Sequence, residues 1–507
     1  METKQKLLLI ILVFFVISSL LGLVARPSGD GAWHFGIIRF MAENHRLPMF
    51  EPLGRMLFTR PPLYHLISAV FYIVFSIVSK DLAEIIVKLL PSIFASLCLF
   101  FTFLIVKKLF NKDVAIYATF FLAFLPLYLF VSFRTMPTIL GVLLTTIAVY
   151  FALEKRIFVS GLFSGLSLLA KEQSGLIIIP ILFIISSNYF GEKKVLVKNI
   201  FLFLLVTILI ASPHYINTFI KVGDPVWPHG ALFFDSPYKQ EALNMVLPGT
   251  KPINIFNILN PEHSIIKPYL EFFGVPHLFD VKSLFLFNIF RIPAINLLLL
   301  FWLAGTILYL VPLFIGFWKI KKHNASFNVI AIWFLTFLFM IYCYLFFFGD
   351  ILVGYLLSGI PALAAIWGFG FFVITKMFAR FKKLILLLYI LISLGFVMSA
   401  AVKIIYTNNS YQFYQEDYDW LNANVPQDKI IYFNDQTLTY NTHRQSITFS
   451  NTTELRNGFV MVNQQYNLNS GLAILPQDMV ADIEKNPRFV LVYSNNRTSS
   501  KVYEIED

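Results

Sequence analysis

Long runs of apolar residues, separated by short polar segments, set the pattern of this chain. Most runs are about 18–25 residues long, the length that an α-helix needs to cross ~30 Å of hydrocarbon. They lie near residues 7–25, 61–79, 84–106, 114–133, 136–153, 157–170, 174–190, 199–219, 292–318, 329–348, 351–375 and 384–403. This spacing predicts an all-α polytopic membrane protein.

Clusters of lysine and arginine between the runs predict which loops face the cytoplasm, because positive residues are enriched there. The clusters are Lys4/Lys6, Lys107/Lys108/Lys112, Lys155/Arg156, Lys193/Lys194/Lys198, Lys319/Lys321/Lys322 and Lys376/Arg380/Lys382/Lys383. All of them reach the cytoplasmic side only if one early run does not cross. We assign that role to residues 61–79, which open with Pro61 and Pro62 and contain His65. We expect a helix there that lies at the outer interface or dips partway into the bilayer.

The resulting topology has about eleven membrane spans and a cytoplasmic N-terminus. It places residues 26–83 and 220–291 in extracytoplasmic loops, together with the polar tail that begins near Asn408. In the tail, strand-like segments alternate with helical ones, which is typical of a small α/β domain. The strand-like segments are 429–433, 459–462, 488–493 and 502–505, and the helical ones are 414–424 and 478–485. We therefore predict a transmembrane domain over residues 1–403 and an extracytoplasmic α/β domain over residues 404–507.

The composition agrees with this class and argues against others. The chain is 57% hydrophobic and 14% charged, whereas soluble proteins carry roughly 25% charged residues. The net charge of +11 lies largely in the loop clusters, and no nucleic-acid-binding motif is visible. Cys98 and Cys343 both lie inside apolar runs, so neither a disulfide framework nor a metal cluster is predicted.

The first external loop holds the strongest candidates for chemistry. Asp30 stands between two glycines directly after the first apolar run. The residues that follow have apolar side chains at helical spacing and predict an amphipathic helix at the membrane surface; these are Trp33, Ile37, Phe40 and Met41. An aspartate in this place is either a helix cap or a reacting group, and the residues alone leave both open.

Arg60 precedes the double proline in the stretch LFTRPPLYHLI, residues 57–67. Proline restricts the residue before it to extended conformations, and the planar guanidinium group suits bidentate contact with a phosphate. Arginines at a membrane interface also contact lipid headgroups or neutralise nearby acids. That alternative applies to Arg60 and, more strongly, to other arginines of the loop, which are Arg26, Arg39 and Arg55.

These features together resemble the GT-C membrane glycosyltransferases, and within them the branch of protein O-mannosyltransferases and lipid A aminoarabinose transferases. The shared features are an acid that opens the first external loop, the amphipathic helix, and the basic residue–Pro–Pro–Leu–Tyr stretch. The segments GLFSGLSLLAKEQSGLIIIP (161–180) and VGDPVWPHG (222–230) are also similar. The resemblance extends roughly over residues 5–400.

The resemblance implies an integral-membrane enzyme of the cell membrane that transfers a sugar from a polyprenyl-phosphate donor, with inversion. The acceptor hydroxyl, on a glycan, a lipid or a protein, lies on the extracytoplasmic face. Asp30 corresponds to the general base and Arg60 to the main phosphate ligand. Further candidates are Lys171 and Arg134 for the phosphate, and His34, His65 and Tyr64 for substrate contacts. Membrane lipids are the other expected partners, and nucleic acid is not one.

One departure from the family pattern concerns the turn SFRTMPTIL, residues 132–140. Many members carry a second acid there, and this chain has no carboxylate in it. Such acids hold a divalent metal in some members, so a divalent metal is possible but disfavoured here, and no cofactor is assigned with certainty. The missing acid also motivates an alternative function, a catalytically silent relative that binds a glycolipid.

A second alternative is a lipid or glycolipid transporter or flippase. The apolar runs contain almost no central charges and no visible inverted repeat, both of which weigh against transport. Several polar residues have simpler explanations as structural groups: a Lys171–Glu172 ion pair, loop-shaping roles for Asp224 and His229, and a solvated turn residue at Asp350.

Overall fold

The computed structural model describes residues 2–506 apart from several segments. The exceptions are residues 28–29, 49–57, 228–229, 231–233, 238, 240–268, 270–271, 274–292, 322–323, 349–352, 413, 434–437, 439–440, 443, 445, 448, 450, 464–474 and 476. The sequence-based candidates Arg55, His229 and Asp350 lie outside the described residues.

The first part of the chain is a succession of helices with short connections. They are α1 (Thr3–Val24), α2 (Asp30–Asn44), α3 (Leu63–Ser76), α4 (Lys80–Leu109), α5 (Lys112–Ala123), α6 (Pro126–Ser132), α7 (Thr138–Leu153), α8 (Ile157–Ala170), a 3₁₀ helix (Glu172–Ile177), α9 (Ile178–Asn188) and α10 (Lys193–Val222). Side-chain caps start two of them: the Ser79 hydroxyl accepts from the Leu82 amide, and Asn111 accepts from the Val114 amide. Gly223, with φ of 74°, ends α10 in the left-handed conformation that glycine adopts most easily.

A second group of helices completes the membrane part. They are α11 (Pro293–Ile320), α12 (Asn324–Phe348), a 3₁₀ helix (Val353–Gly359), α13 (Ile360–Met377), a short 3₁₀ turn (Ala379–Phe381) and α14 (Lys382–Gln412). Helix α13 is central and packs against α5 and α11. A Cβ atom at Gly370 would collide with the backbone carbonyl of Pro312, so this contact requires glycine at its closest point.

Seven helices in the described part of the chain are long and apolar enough to cross a membrane. The bent pair α5–α6, with a 66° angle between its halves, is an eighth at most. Helices α3, α7, α8 and the segment Glu172–Asn188 are apolar but shorter. The polytopic helical class is thus confirmed. The number of eleven spans stays a prediction, because it needs the bent pair and three of the shorter helices to cross as well.

Helix α3 occupies the run that the charge pattern excluded from crossing. It has 14 residues, which at 1.5 Å per residue is ~21 Å, less than the ~30 Å hydrocarbon thickness. It packs between α2 and α4 and also contacts α8. This packing brings the first loop against helices that follow much later in the sequence.

The C-terminal residues form the small sheet domain that the tail pattern predicted. Its strands are β1 (Ile430–Tyr432), β2 (Ser446–Ile447), β3 (Gly458–Asn463), β4 (Phe489–Asn495) and β5 (Ser500–Ile505), and its helices are α15 (Gln415–Asn424) and α16 (Gln477–Lys485). The strand order is β2-β1-β3-β5-β4, with β1 parallel to both neighbours and β5 antiparallel to both of its own. Residues of α15 and α16 belong to separate apolar clusters, each with alternate residues of β3, so the helices cover opposite faces of the sheet.

Candidate active site

Helix α2 carries Asp30 and His34 on one face, because residues four apart lie above one another on a helix. Asp30 is the first residue of α2 and is exposed, and an acid in the first turn also suits the helix dipole. His34 is buried. Asp30 thus lies inside the first turn of α2 with its carboxylate at the surface, one turn before the buried His34.

His34 meets His65 of α3 across the interface between the two helices. Nδ1 of His34 lies 2.8 Å from Nε2 of His65, a hydrogen bond between two buried rings. Aromatic rings surround the pair: Trp33 lies edge-on to His34 at 4.6 Å between centroids, and Phe58 and Tyr64 lie edge-on to His65 at 5.9 and 5.7 Å. Tyr64 and His65 are 0% and 1% exposed, so both stand behind His34 rather than beside an open surface.

Arg60 lies next to this aromatic cluster. Its guanidinium carbon is 5.7 Å from the centre of the Trp33 ring, and the residue is half-buried. The preceding residue, Thr59, donates its hydroxyl to the carbonyl of Trp227 at 3.5 Å. The segment that carries Arg60 is therefore in contact with the VGDPVWPHG loop.

Asp224 shapes that loop. The residue is fully buried, and its Oδ1 accepts a hydrogen bond from the Val226 amide at 2.9 Å, which is a local turn contact. Its carboxylate lies against Gly230, where a Cβ atom would leave no room. The geometry gives Asp224 a structural position under the loop.

Lys171 stands at the break between α8 and the following 3₁₀ helix. Its ammonium group donates to the hydroxyl of Thr138 at 2.8 Å and lies 5.1 Å from the ring centre of Tyr355. Burial lowers the pKa of Lys171 to about 8, and Arg60 adds to this, whereas the carboxylates of Glu172 and Asp30 oppose it. Lys171 is thus within electrostatic reach of both Asp30 and Arg60.

Arg134 enters the same region from the turn after α6. Its guanidinium carbon is 5.0 Å from the Phe130 ring centre, and Nζ of Lys403 from α14 lies 4.0 Å from the same ring. Thr138, which receives the Lys171 hydrogen bond, belongs to the turn in which the second acid is missing. This turn therefore holds polar and cationic side chains and no carboxylate.

Several of these charged groups lie close enough to His34 to affect its pKa. Burial is the largest cause that lowers this pKa well below its usual value, and repulsion by neighbouring groups adds to it; these groups are His65, Arg60, Lys171 and Arg134. Burial likewise lowers the pKa of His65 to about 3, with the Pro61 carbonyl opposing and Arg60 adding to the decrease. Both imidazoles are therefore neutral at physiological pH.

Two other arginines of the first loop, Arg39 and Arg26, form contacts with different partners. Arg39 forms an ion pair with Glu84 of α4 at 2.8 Å. The backbone amide of Arg26 donates to Asn408 at 3.0 Å, and its guanidinium donates to Gln415 at 3.2 Å. The first contact fastens α2 to α4, and the second joins the end of α1 to the end of α14 and the start of the C-terminal domain.

The described residues do not fit a metal ion. They contain no group of three or more His, Cys, Asp or Glu side chains placed to hold one, and the two histidines of the site bond to each other. Sequence reasoning also missed Thr138 and Tyr355 as neighbours of Lys171. The only signal was that Thr138 follows Arg134 closely; nothing local marks Tyr355.

Comparison with known proteins supports the same fold. Residues 59–216 match the family model of dolichyl-phosphate-mannose-protein mannosyltransferases. Crystal structures of ArnT from Cupriavidus metallidurans, bound to undecaprenyl phosphate and in the apo state, give TM-scores of 0.63 and 0.64 at 10% identity. Each alignment covers 98% of this chain and 97% of ArnT.

The oligosaccharyltransferase of Archaeoglobus fulgidus, in complex with Zn and sulfate, gives a TM-score of 0.58 at 14% identity. That alignment covers 98% of this chain and 73% of the archaeal protein. No curated protein sequence matches the chain significantly. The chain thus has the fold of these multi-span membrane proteins along its length, and its residues 59–216 are similar to the dolichyl-phosphate-mannose-protein mannosyltransferase family.

Proposed function

We propose that this protein is a membrane glycosyltransferase that moves a sugar from a polyprenyl-phosphate donor to an acceptor hydroxyl. The observation that carries the proposal is that three cations from separate segments, Arg60, Lys171 and Arg134, all act on His34, one helical turn after Asp30. Lys171 is also within electrostatic reach of Asp30 itself. The exposed acid and the half-buried cations supply the two functions that such a transfer needs, a proton acceptor and a site for a phosphate. The ArnT structure bound to undecaprenyl phosphate supports a lipid phosphate as the donor group.

In the proposed reaction, the acceptor oxygen attacks the anomeric carbon from the side opposite the phosphate. The hydroxyl proton passes to the Asp30 carboxylate, the new carbon–oxygen bond forms, and the bond from the anomeric carbon to the phosphate oxygen breaks. The leaving phosphate keeps that electron pair. Its growing negative charge is stabilised by Arg60, Lys171 and Arg134, and the configuration at the anomeric carbon inverts.

The proposal also assigns roles to the histidine pair and an orientation in the membrane. His34 contacts the substrate, whereas His65 and Tyr64, which have almost no exposed surface, support His34 from behind. The charge pattern supports an N-terminus in the cytoplasm and an α/β domain on the extracytoplasmic side of the cell membrane. There the acceptor glycan, lipid or protein would be available.

The test uses purified protein in lipid nanodiscs with farnesyl-phosphate sugars and an acceptor extract from the outer cell surface. We expect Asp30→Asn to abolish transfer while binding of the farnesyl-phosphate sugars persists. Asp81→Asn is the matched control, since Asp81 is also an exposed acid in the first turn of a helix. Equal transfer by wild type and Asp30→Asn would remove Asp30 as the base.

The missing second acid supports a second candidate function, glycolipid binding without transferase activity. Binding of a farnesyl-phosphate sugar with no transfer from any of several sugars would favour it. Movement of the labelled lipid between leaflets, unaffected by Asp30→Asn, would favour a flippase instead.

A further inference from the structure

Two aromatic rings are stacked at the surface of the α/β domain. The indole of Trp420 from α15 lies over the ring of Tyr493 from β4, with 4.5 Å between the ring centroids and 23° between the ring planes. Both residues are half-buried. Because the Tyr493 ring covers one face of the indole, the surface that Trp420 leaves exposed belongs largely to its opposite face and its edges. The domain therefore presents a flat aromatic surface to solvent.

A buried network holds the stacked pair in place. The Tyr493 hydroxyl donates to Oδ1 of Asp417 at 2.8 Å, and Asp417 is fully buried. The same carboxylate accepts hydrogen bonds from Asn495 and Ser500, each at 2.8 Å. The Tyr493 ring is thus fixed before a ligand arrives, so the ordering of side chains costs little when a ligand stacks on Trp420.

A polar pair lies beside the rings. Glu416 stands one turn before Trp420 on the same face of α15, and Asn495 follows Tyr493 by two residues on the same face of β4. Nη1 of Arg497 donates to Oε1 of Glu416 at 2.9 Å, and Nδ2 of Asn495 lies 3.4 Å from Oε2 of the same carboxylate. The side chains of Glu416 and Arg497 are 60% and 56% exposed. Charged donors and acceptors therefore face solvent next to the aromatic surface.

This combination matches the chemistry of a sugar ring. A pyranose has an apolar face of C–H groups, which packs against the negative face of an aromatic ring. Its rim carries hydroxyl groups, which both donate and accept hydrogen bonds. The guanidinium of Arg497 and the carboxylate of Glu416, 2.9 Å apart, offer a donor and an acceptor side by side, as two neighbouring hydroxyl groups require.

We infer that Trp420, Glu416 and Arg497 form a binding site for a sugar ring of a glycan, which we term the glycan patch. Tyr493 is the positioning residue, because its ring supports the indole. The charges of Glu416 and Arg497 cancel, and Asp419 of the same helix is exposed. The glycan patch therefore suits a neutral sugar better than a polyanion.

Helix α15 ties the glycan patch to the first loop. The guanidinium of Arg26 donates to Gln415, the first residue of α15, at 3.2 Å. Asp30 follows Arg26 by four residues, which span at most ~14 Å of extended chain. The glycan patch thus lies on the part of the domain that is joined to the segment carrying Asp30. The assignment of the bound glycan as the acceptor rests on the proposed function, whereas sugar binding itself does not require transfer.

The first experiment measures binding of mannotetraose, cellotetraose and chitotetraose to the full chain in nanodiscs by saturation-transfer NMR. We expect wild type to bind at least one of them. Trp420→Leu keeps an apolar side chain but removes the aromatic face, and we expect it to weaken this binding by about tenfold. Trp420→Phe should retain most of the affinity, and Arg497→Ala should weaken binding by about 2- to 10-fold.

Lys501→Ala is the matched control for Arg497→Ala. Lys501 of β5 also forms a helix–strand ion pair, with Glu484 of α16 at 2.6 Å, but α16 covers the opposite face of the sheet. Partly exposed pairs of this kind add little to stability, so both variants should stay folded, and hydrogen exchange in β3 and β5 checks this. Equal loss of sugar binding in the two variants would overturn the inference.

Three other results would also overturn it: no binding of any of the three tetrasaccharides, full binding in Trp420→Leu, or full binding in Arg497→Ala. If Trp420→Leu changes hydrogen exchange in the sheet, Arg497→Ala alone decides. Asp30→Asn should bind the sugars as wild type does, so failure of sugar binding is distinct from failure of the proposed transfer.

The second experiment tests an extended peptide as the occupant, because β4 is the last strand in the sheet order and Leu491 is 50% exposed. Edge strands can bind such peptides through their backbone. A peptide of alternating valine and threonine is added in place of the sugars. We expect no binding that depends on Trp420. Peptide binding that is lost in Leu491→Lys and competes with the sugars would assign this surface to the edge strand and overturn the inference.

Discussion

The titration of Lys171 gives the sharpest prediction about the phosphate site. Its ammonium group is enclosed by Thr138, the Tyr355 ring and the neighbouring charges, and burial lowers its pKa to about 8. Because the pKa is lowered, Lys171 is charged below about pH 8 and becomes neutral as the pH rises through that value. If only the charged form binds the donor phosphate, the Kd rises about twofold from pH 6 to pH 8 and about tenfold to pH 9.

The assay is equilibrium binding of farnesyl-phosphate mannose in nanodiscs between pH 6 and pH 9. This probe is a phosphodiester and does not titrate in that range, and ordinary carboxylates and guanidinium groups do not either. Lys171→Arg should bind with little pH dependence, because arginine stays charged. Lys171→Met should bind about 10- to 100-fold more weakly at pH 7, the loss of one charge-assisted contact worth about 1.5–3 kcal/mol.

Lys80→Met is the matched control. Lys80 also lies near the first loop but is 76% exposed, in a loose ion pair of 3.8 Å with Glu43, so its removal should change neither affinity nor pH dependence. A pH profile that persists in Lys171→Met would assign the titration to another group. A flat wild-type profile would refute the reasoning about Lys171.

Three further predictions concern stability. Arg39→Ala should remove the mostly buried ion pair with Glu84 and lower the unfolding free energy by about 1.5–3 kcal/mol, the value of a hydrogen bond to a charged group. Thermal stability that is retained in Arg39→Lys but lost in Arg39→Gln would point to charge rather than packing. Gly370→Ala should reduce the yield of folded protein in detergent, because the added Cβ has no room. Gly395→Ala is the control and should not reduce the yield, because the space around Gly395 is open. Equal yields of the two variants would refute the packing argument. The Asp417 carboxylate accepts hydrogen bonds from three side chains. Asp417→Ala should therefore destabilise the α/β domain by about 1–3 kcal/mol for each buried donor left unpaired. An unchanged hydrogen-exchange pattern in the sheet would contradict this prediction.

The C-terminal domain shows how much of a fold the local sequence pattern can predict. The predicted strand at 459–462 corresponds to β3 (Gly458–Asn463), and the predicted helix at 414–424 corresponds to α15 (Gln415–Asn424). The missed strand is β2, which has only two residues and no alternation to detect. It pairs in parallel with β1, and such a contact depends on a neighbour that is distant in sequence.

In the candidate site, too, the local sequence predicted some residues but not the contacts between distant segments. Asp30 and Arg60 were recognised because each stands in a short motif whose chemistry can be argued from adjacent residues. The hydrogen bond from Lys171 to Thr138 joins residues 33 positions apart, and the Tyr355 ring comes from a helix far later in the chain. No local pattern marks these contacts, since they follow from which helices are neighbours.

The sequence by itself determined the helical membrane class, the small C-terminal sheet domain and the two motifs of the first loop. These features depend on run length, charge placement and the order of adjacent residues, all of which are local. The tertiary structure alone decided that Lys171 comes within electrostatic reach of Asp30, that Arg134 comes within reach of His34, and that His34 bonds to His65. The reason is that helix packing, including the close approach at Gly370, sets which distant segments meet, and burial among those segments then sets their charge states.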